Sequence, residues 1–174
     1  MAKKAKKKVK QRWIPPDWFV YLLLLLVSVL VRLPFLGTFD LVAYDGVYYI
    51  NQAKGFLGNP HLGGAFPIGY PVFIALLLPV VGDGVRAAQI ISFAAGVGTL
   101  FVFFALGKRL VSKNLAIIVS FVLALTPIFI RLSMMTLSES IFVFWLFLGL
   151  LFFYLRKDLS FGLSMGMAAI TRPE

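Results

Sequence analysis

Apolar residues dominate this chain in long blocks, and polar positions fall between the blocks rather than alternating with them. Trp18 to Leu36, Ala87 to Leu106, Leu115 to Ile130 and Leu137 to Leu155 each approach the length an apolar helix needs to cross about 30 Å of hydrocarbon. Spans are therefore predicted near 18–36, 87–106, 115–130 and 137–155, the third interrupted by Pro127. A shorter block, Phe161 to Ile170, stops at Thr171-Arg172-Pro173-Glu174, so a fifth helix is expected near 159–174, with the chain ending inside it as a piece of a longer protein. The predicted class is all-α: a polytopic bundle of four to five membrane helices with two juxtamembrane helices in its first external loop.

That loop runs from Gly37 to about Arg86, long enough to suggest a function beyond linkage. It holds a polar, aromatic-rich stretch, Phe39 to Phe56, then a turn-rich break at Gly58-Asn59-Pro60-His61, then an apolar run from Tyr70 to Val81 bracketed by Pro71 and Pro79. Interfacial or re-entrant helices are predicted near 44–57 and 70–81. On a helix, Tyr48, Tyr49 and Gln52 follow Asp45 at offsets of three, four and seven and share its face, while Val47, Ile50 and Phe56 fall largely opposite. The expected arrangement has the apolar side toward lipid and Asp45 toward a cavity.

Composition and charge add the membrane and its sidedness. A chain that is 60% hydrophobic, with a mean hydropathy of +0.93, is too apolar for a soluble domain. Seven of the 17 basic residues lie in residues 1–12, directly ahead of the first span, which reads as a cytoplasmic tail facing anionic headgroups rather than a nucleic-acid site. Trp13 and Trp18 mark the interface, and no small-residue cleavage pattern follows the first apolar run, so it is read as a retained helix. Lys108, Arg109, Lys113, Arg156 and Lys157 are likewise placed inside, and residues 13–174 form one transmembrane unit in the plasma membrane. Asp40, Asp45, Asp83 and Glu139 then share the outer half with Arg32, Lys54, Arg86, Arg131 and Arg172. Cysteine is absent, which removes disulfides and cysteine metal sites.

The candidate chemistry sits in that outer half. Glu139 opens the fourth span and Asp45 lies beside Gly46 and the Tyr48-Tyr49 pair; a carboxylate at a membrane boundary is costly unless paired, hydrated or functional. Glu139 read blandly is a helix-dipole partner, Asp45 a cap, and Arg32 a side chain snorkelling to the headgroups. Tyr44, Tyr48 and Tyr49 suit sugar stacking and interfacial anchoring equally. A histidine metal site is disfavoured, because His61 is the only histidine; Asp40, Asp45 and Glu139 could still share a hard divalent ion through oxygen. Neither a phosphate-cradling glycine loop nor a Ser/His/Asp arrangement occurs.

Five stretches in order carry a family likeness: RLPFLG from Arg32, YDGVYYINQAKGF from Tyr44, PIGYPVFIALL from Pro67, LSES opening the fourth span and the closing GLSMGMAAITRPE. Together they resemble the GT-C superfamily of membrane glycosyltransferases, closest to its dolichyl-phosphate-mannose-protein mannosyltransferase-like and aminoarabinose-transferase-like branch, which includes the rhizobial lipopolysaccharide core sugar transferases. The resemblance implies transfer of a sugar from a polyprenyl-phosphate donor to a lipid, glycan or protein acceptor on the external face. It implies Asp45 as general base or acceptor-orienting acid and Glu139 as its neighbour; the lipid-phosphate leaving group of such a reaction needs cationic or metal stabilisation, and Arg32, Arg131 or Arg172 could supply it as the donor phosphate contact. Asp40, Tyr48, Tyr49, Lys54 and His61 are the expected substrate contacts, and Asp45 with Glu139 the expected ligands should Mg or Mn take part. The chain departs from the family at Gly46, where many relatives have a second acid, and at Ala65-Phe66, where the aminoarabinose enzymes carry a basic residue. The alternatives are a transporter or channel subunit with Asp45 and Glu139 lining its path, and a non-catalytic membrane scaffold.

Overall fold

In a computed structural model, residues 15–35, 43–58 and 66–172 are described. The basic tail, Trp13, Asp40 and His61 lie outside them. All regular structure among the described residues is helical: α1 (Asp17–Arg32, continued by a 3-10 turn, Leu33–Phe35), α2 (Tyr44–Phe56), α3 (Gly69–Val81), α4 (Gly84–Leu110), α5 (Lys113–Leu125), α6 (Pro127–Leu132), α7 (Glu139–Tyr154) and α8 (Asp158–Thr171). Two segments, Asp17–Phe35 and Gly84–Leu110, are long and apolar enough to cross a membrane. α3, α5 and α7 are shorter apolar helices.

Local chemistry sets the helix ends. Asp83 caps α4 by accepting from the Arg86 amide, and Ser112 caps α5 by accepting from Leu115. Pro127 divides the apolar run 113–132 at Thr126, since proline donates no amide to the preceding turn. α7 closes on a reverse-wound end in which the Lys157 amide donates to Phe152 and the Arg156 amide to Phe153. Arg156 carries a φ of 55° there, a conformation glycine adopts without the Cβ penalty. Arg156→Gly is expected to stabilise the chain by about 1 kcal/mol, read as a rise in melting temperature in detergent.

The two ends of the bundle differ in charge. At one end the Asp17 carboxylate pairs with Lys108 and, at 2.6 Å, with Lys113, joining the start of α1 to the end of α4 and the start of α5. Tyr154 donates to the Arg109 carbonyl at 3.1 Å, which brings the end of α7, and with it Arg156 and Lys157, to the same end. Glu139 and Arg172 meet at the other end. The core follows α4. Its small residues, Ala87, Ala88 and Ala95, pack against Tyr49, Ile50, Tyr70 and Ile74 of α2 and α3. Gly96 abuts Ser133 and Gly98 abuts the Phe144 ring, so both glycines serve as close-packing points. α3 folds back on the first third of α4, where the Tyr70 hydroxyl lies 2.9 Å from the Ala88 carbonyl and 2.8 Å from Ser92 Oγ.

Candidate functional site

α2 is positioned by its buried stripe. Gly46, Tyr49, Ile50 and Ala53 recur at the spacing of one helix face and point inward, with Gln52 beside them. Gly46 makes the close approach possible: a Cβ there would sit 2.0 Å from Thr136 Oγ1 and 2.7 Å from the Thr136 carbonyl oxygen. This corrects the expected orientation. Tyr49 and Gln52 are buried as a pair, but Asp45 and Tyr48 are exposed, and Ile50 turns into the core rather than toward lipid. The physical reason is that the missing side chain at Gly46 selects the contact face, one residue and about 100° round from Asp45. Tyr48 instead bonds Tyr44 at 2.8 Å between hydroxyls and stacks on Phe66.

Behind Asp45 the fold assembles a polar cluster from three elements. Tyr49 of α2 shares a hydrogen bond of 3.1 Å with Ser138, the residue that precedes α7. Glu139, in the first turn of α7, pairs through Oε1 with Arg172 Nη1 at 2.8 Å, just past the end of α8. Glu139 Oε2 is buried without a hydrogen-bond partner among the described residues. Burial raises the Tyr49 hydroxyl above its ordinary pKa, the Ser138 bond opposes this, Asp45 and Glu139 raise it further and Arg172 lowers it. All three charges thus act on one phenol, which stays a protonated donor at neutral pH.

Tyr70 braces this cluster from below. Its hydroxyl reaches Ser92, whose own hydroxyl donates to the Leu137 carbonyl at 3.2 Å, immediately ahead of Ser138 and Glu139. Tyr70→Phe is expected to cost about 1–2 kcal/mol, because the fully buried Ser92 hydroxyl loses a partner. A urea or thermal titration of the purified chain reads this directly, and an unchanged midpoint would remove the brace from the account.

Arg32 is placed differently. Its side chain is 0% exposed, which excludes snorkelling. Nε donates to Ser133 Oγ at 2.8 Å, Nη1 to the Ser28 carbonyl at 3.1 Å, and the guanidinium lies 5.6 Å from the Phe129 ring centre, while Nη2 has no partner among the described residues. Arg32 lines a cavity of about 910 Å³ together with Arg86, Gln89 and Phe93 of α4. The residues of α4 that meet α2, α3 and the α7 entry are instead Gly84, Ala88 and Ser92, on a different face of the same helix. The Arg32 cavity and the Glu139–Arg172 cluster thus border different faces of α4, and the segment from Ser133 to Ser138 runs from one to the other.

Of the three arginines considered as phosphate contacts, Arg172 joins Glu139, Arg32 lines the separate cavity, and Arg131 is exposed at the end of α6. Lys54 is exposed near the end of α2. Asp40 and His61 fall outside the described residues. For a divalent ion the fit is poor: one oxygen of Glu139 is engaged by the Arg172 cation, and no three acidic or histidine side chains converge among the described residues. The hydroxyl residues Ser133 and Thr136 were not anticipated as part of either site. Their signal was a run of small polar residues, SMMTLSES, interrupting an apolar stretch. The chain matches no protein-family description, no curated protein and no solved structure.

Proposed function

We propose that this chain is a polytopic membrane protein whose outer end carries a glycosyl-transfer site using a polyprenyl-phosphate sugar as donor. The membrane part rests on two helices of sufficient length and hydropathy and on the apolar faces left uncovered, Trp18, Leu22, Leu26 and Leu30 on α1 and Leu115, Ile118 and Val122 on α5. In this reading the end where basic residues gather faces the cytoplasm and the carboxylate cluster faces out; the charge asymmetry between the two ends supports it.

The single observation that carries the reaction is the convergence of Tyr49, Ser138, Glu139 and Arg172 behind an exposed Asp45. In the proposed reaction the Asp45 carboxylate takes the proton of an acceptor hydroxyl as its oxygen bonds to the anomeric carbon. The bond from that carbon to the phosphate oxygen breaks, and polyprenyl phosphate leaves with the added negative charge. Arg172, held by Glu139, balances that charge, and Tyr49 and Ser138 offer hydroxyls for the sugar.

The test is transfer from a synthetic polyprenyl-phosphate sugar, with donor binding followed separately by native mass spectrometry. Asp45→Asn is expected to keep donor binding and lose transfer by about 10²–10⁴-fold, the usual worth of a general base. A scaffold would bind no donor, and a transport subunit would bind without any transfer even in the parent chain. Undiminished transfer by Asp45→Asn would remove Asp45 from the chemistry.

A further inference from the structure

Arg156 is the one non-glycine residue with a positive φ among the described residues, and the proposed transfer reaction has no use for it. The chain reverses there between α7 and α8 with a φ of 55°, which glycine adopts without the Cβ penalty. A cation stands in that position instead, exposed to solvent. Lys157 by itself supplies a positive charge near the negative end of α7, so the helix dipole does not require Arg156. A strained position of this kind points to a role for the side chain it carries.

Its surroundings are basic. Lys157 is exposed, and the Tyr154 hydroxyl donates to the Arg109 carbonyl at 3.1 Å, which brings the exposed Arg109 at the end of α4 to the same corner. Arg109, Arg156 and Lys157 form no ion pair among the described residues. Of the chain's seven acidic side chains, the described residues bring Asp17 and Asp158 to this end. Asp17 is already engaged by Lys108 and Lys113, which leaves Asp158 alone against three cations. The corner therefore keeps a net positive charge.

The neighbouring side chains restrict the partner. Leu110 and Val111 follow Arg109, Phe153 precedes the reversal and Leu159 follows it, and all four are exposed. A nucleic acid or an acidic protein would meet the cations and leave these apolar side chains in water. At a bilayer surface, headgroup phosphate meets the cations while the acyl chains beside it cover the apolar groups.

We propose that the corner where α4 ends and α7 turns into α8 is a docking site for the headgroup phosphate of anionic phospholipids, with Arg156 held in its left-handed conformation to complete a cation group with Arg109 and Lys157. The site lies at the opposite end of the bundle from the Glu139–Arg172 pair, so it stands whether or not the transfer reaction is confirmed. Guanidinium groups bind phosphate through paired, charge-assisted hydrogen bonds.

The experiment is native mass spectrometry of the full chain in detergent, titrated in parallel with phosphatidylglycerol, with phosphatidylcholine of the same acyl chains and with inorganic phosphate. Expected is saturable retention of phosphatidylglycerol, at least tenfold stronger than that of phosphatidylcholine. Arg156→Gly should lower it about fivefold, the usual worth of one cation at an anionic membrane surface, while the melting temperature rises. That opposition of binding and stability separates a ligand contact from a merely structural one. Arg109→Gln and Lys157→Gln leave the reversal untouched and should each lower retention by a similar factor, which keeps the test decisive should Arg156→Gly repack the corner. Arg86→Gln removes an exposed charge at the start of α4 and should change nothing. Equal retention of phosphatidylcholine, or losses from Arg86→Gln as large as those from the corner variants, would overturn the site, because net charge alone would then account for binding. Retention untouched by Arg156→Gly would overturn it as well, and saturable uptake of inorganic phosphate with no preference between the lipids would overturn the lipid as its occupant.

Discussion

Gly46→Ala is expected to lift the first turn of α2 off the bundle and to cost about 1–3 kcal/mol, the usual price of forcing a methyl into a packed contact. The added Cβ meets Thr136 Oγ1 at 2.0 Å, which a rotation of the threonine side chain can relieve. It also meets the Thr136 carbonyl oxygen at 2.7 Å, and backbone has no such freedom. The helix must therefore move. Tyr49 lies one turn further along the same buried stripe, so its 3.1 Å bond to Ser138 stretches with the shift, and Asp45, adjacent to Gly46, moves as well. Hydrogen exchange read by mass spectrometry should show faster exchange confined to residues 44–56, beside a lower melting temperature. Thr136→Ala in the same chain should restore only part of the loss, since it removes the hydroxyl and leaves the carbonyl. Full restoration, or no loss in the single variant, would show that α2 is not held by this contact.

The same contact explains what could and could not be read from the sequence. Apolar block length, with helix-face spacing for the polar stretch after Tyr44, located the helices to within a few residues: the expected 44–57 and 70–81 became Tyr44–Phe56 and Gly69–Val81, and the break at Pro127 fell where the missing amide requires it. Orientation within α2 was not legible. Its apolar and polar residues are mixed enough that Asp45, Tyr48, Tyr49 and Gln52 looked like one face, and only the partner at Thr136 makes Gly46 the centre of the buried one. Charges behaved similarly. The positive-inside pattern grouped Lys108, Lys113 and the end of α7 correctly at one end, since it depends on helix direction alone. It carried no information about rotation, so it could not separate Arg32, which lines the cavity, from Arg172, which pairs with Glu139.

Glu139→Gln separates a structural role from a chemical one at the centre of the proposed site. The Glu139–Arg172 pair is about 30% exposed on both sides, so solvent screens it, and its loss should cost under about 1 kcal/mol of stability. Glutamine keeps an oxygen that can still accept from Arg172, and its amide replaces the partnerless Oε2 with a donor, so the local shape is preserved. Transfer should respond far more strongly. With the carboxylate gone, Arg172 is no longer anchored by charge beside the leaving phosphate, and a fall of about 10²-fold is expected, the lower range for losing one preorganised charge contact. Arg172→Ala should fall by at least as much, and the double variant by little more than Arg172→Ala alone, because Glu139 acts through the arginine. The discriminating readout is the split between the two measurements. Equal, additive losses from the two single variants that track their melting temperatures would mean the pair only holds α7 to α8, and the phosphate contact would then have to be sought elsewhere on the outer end.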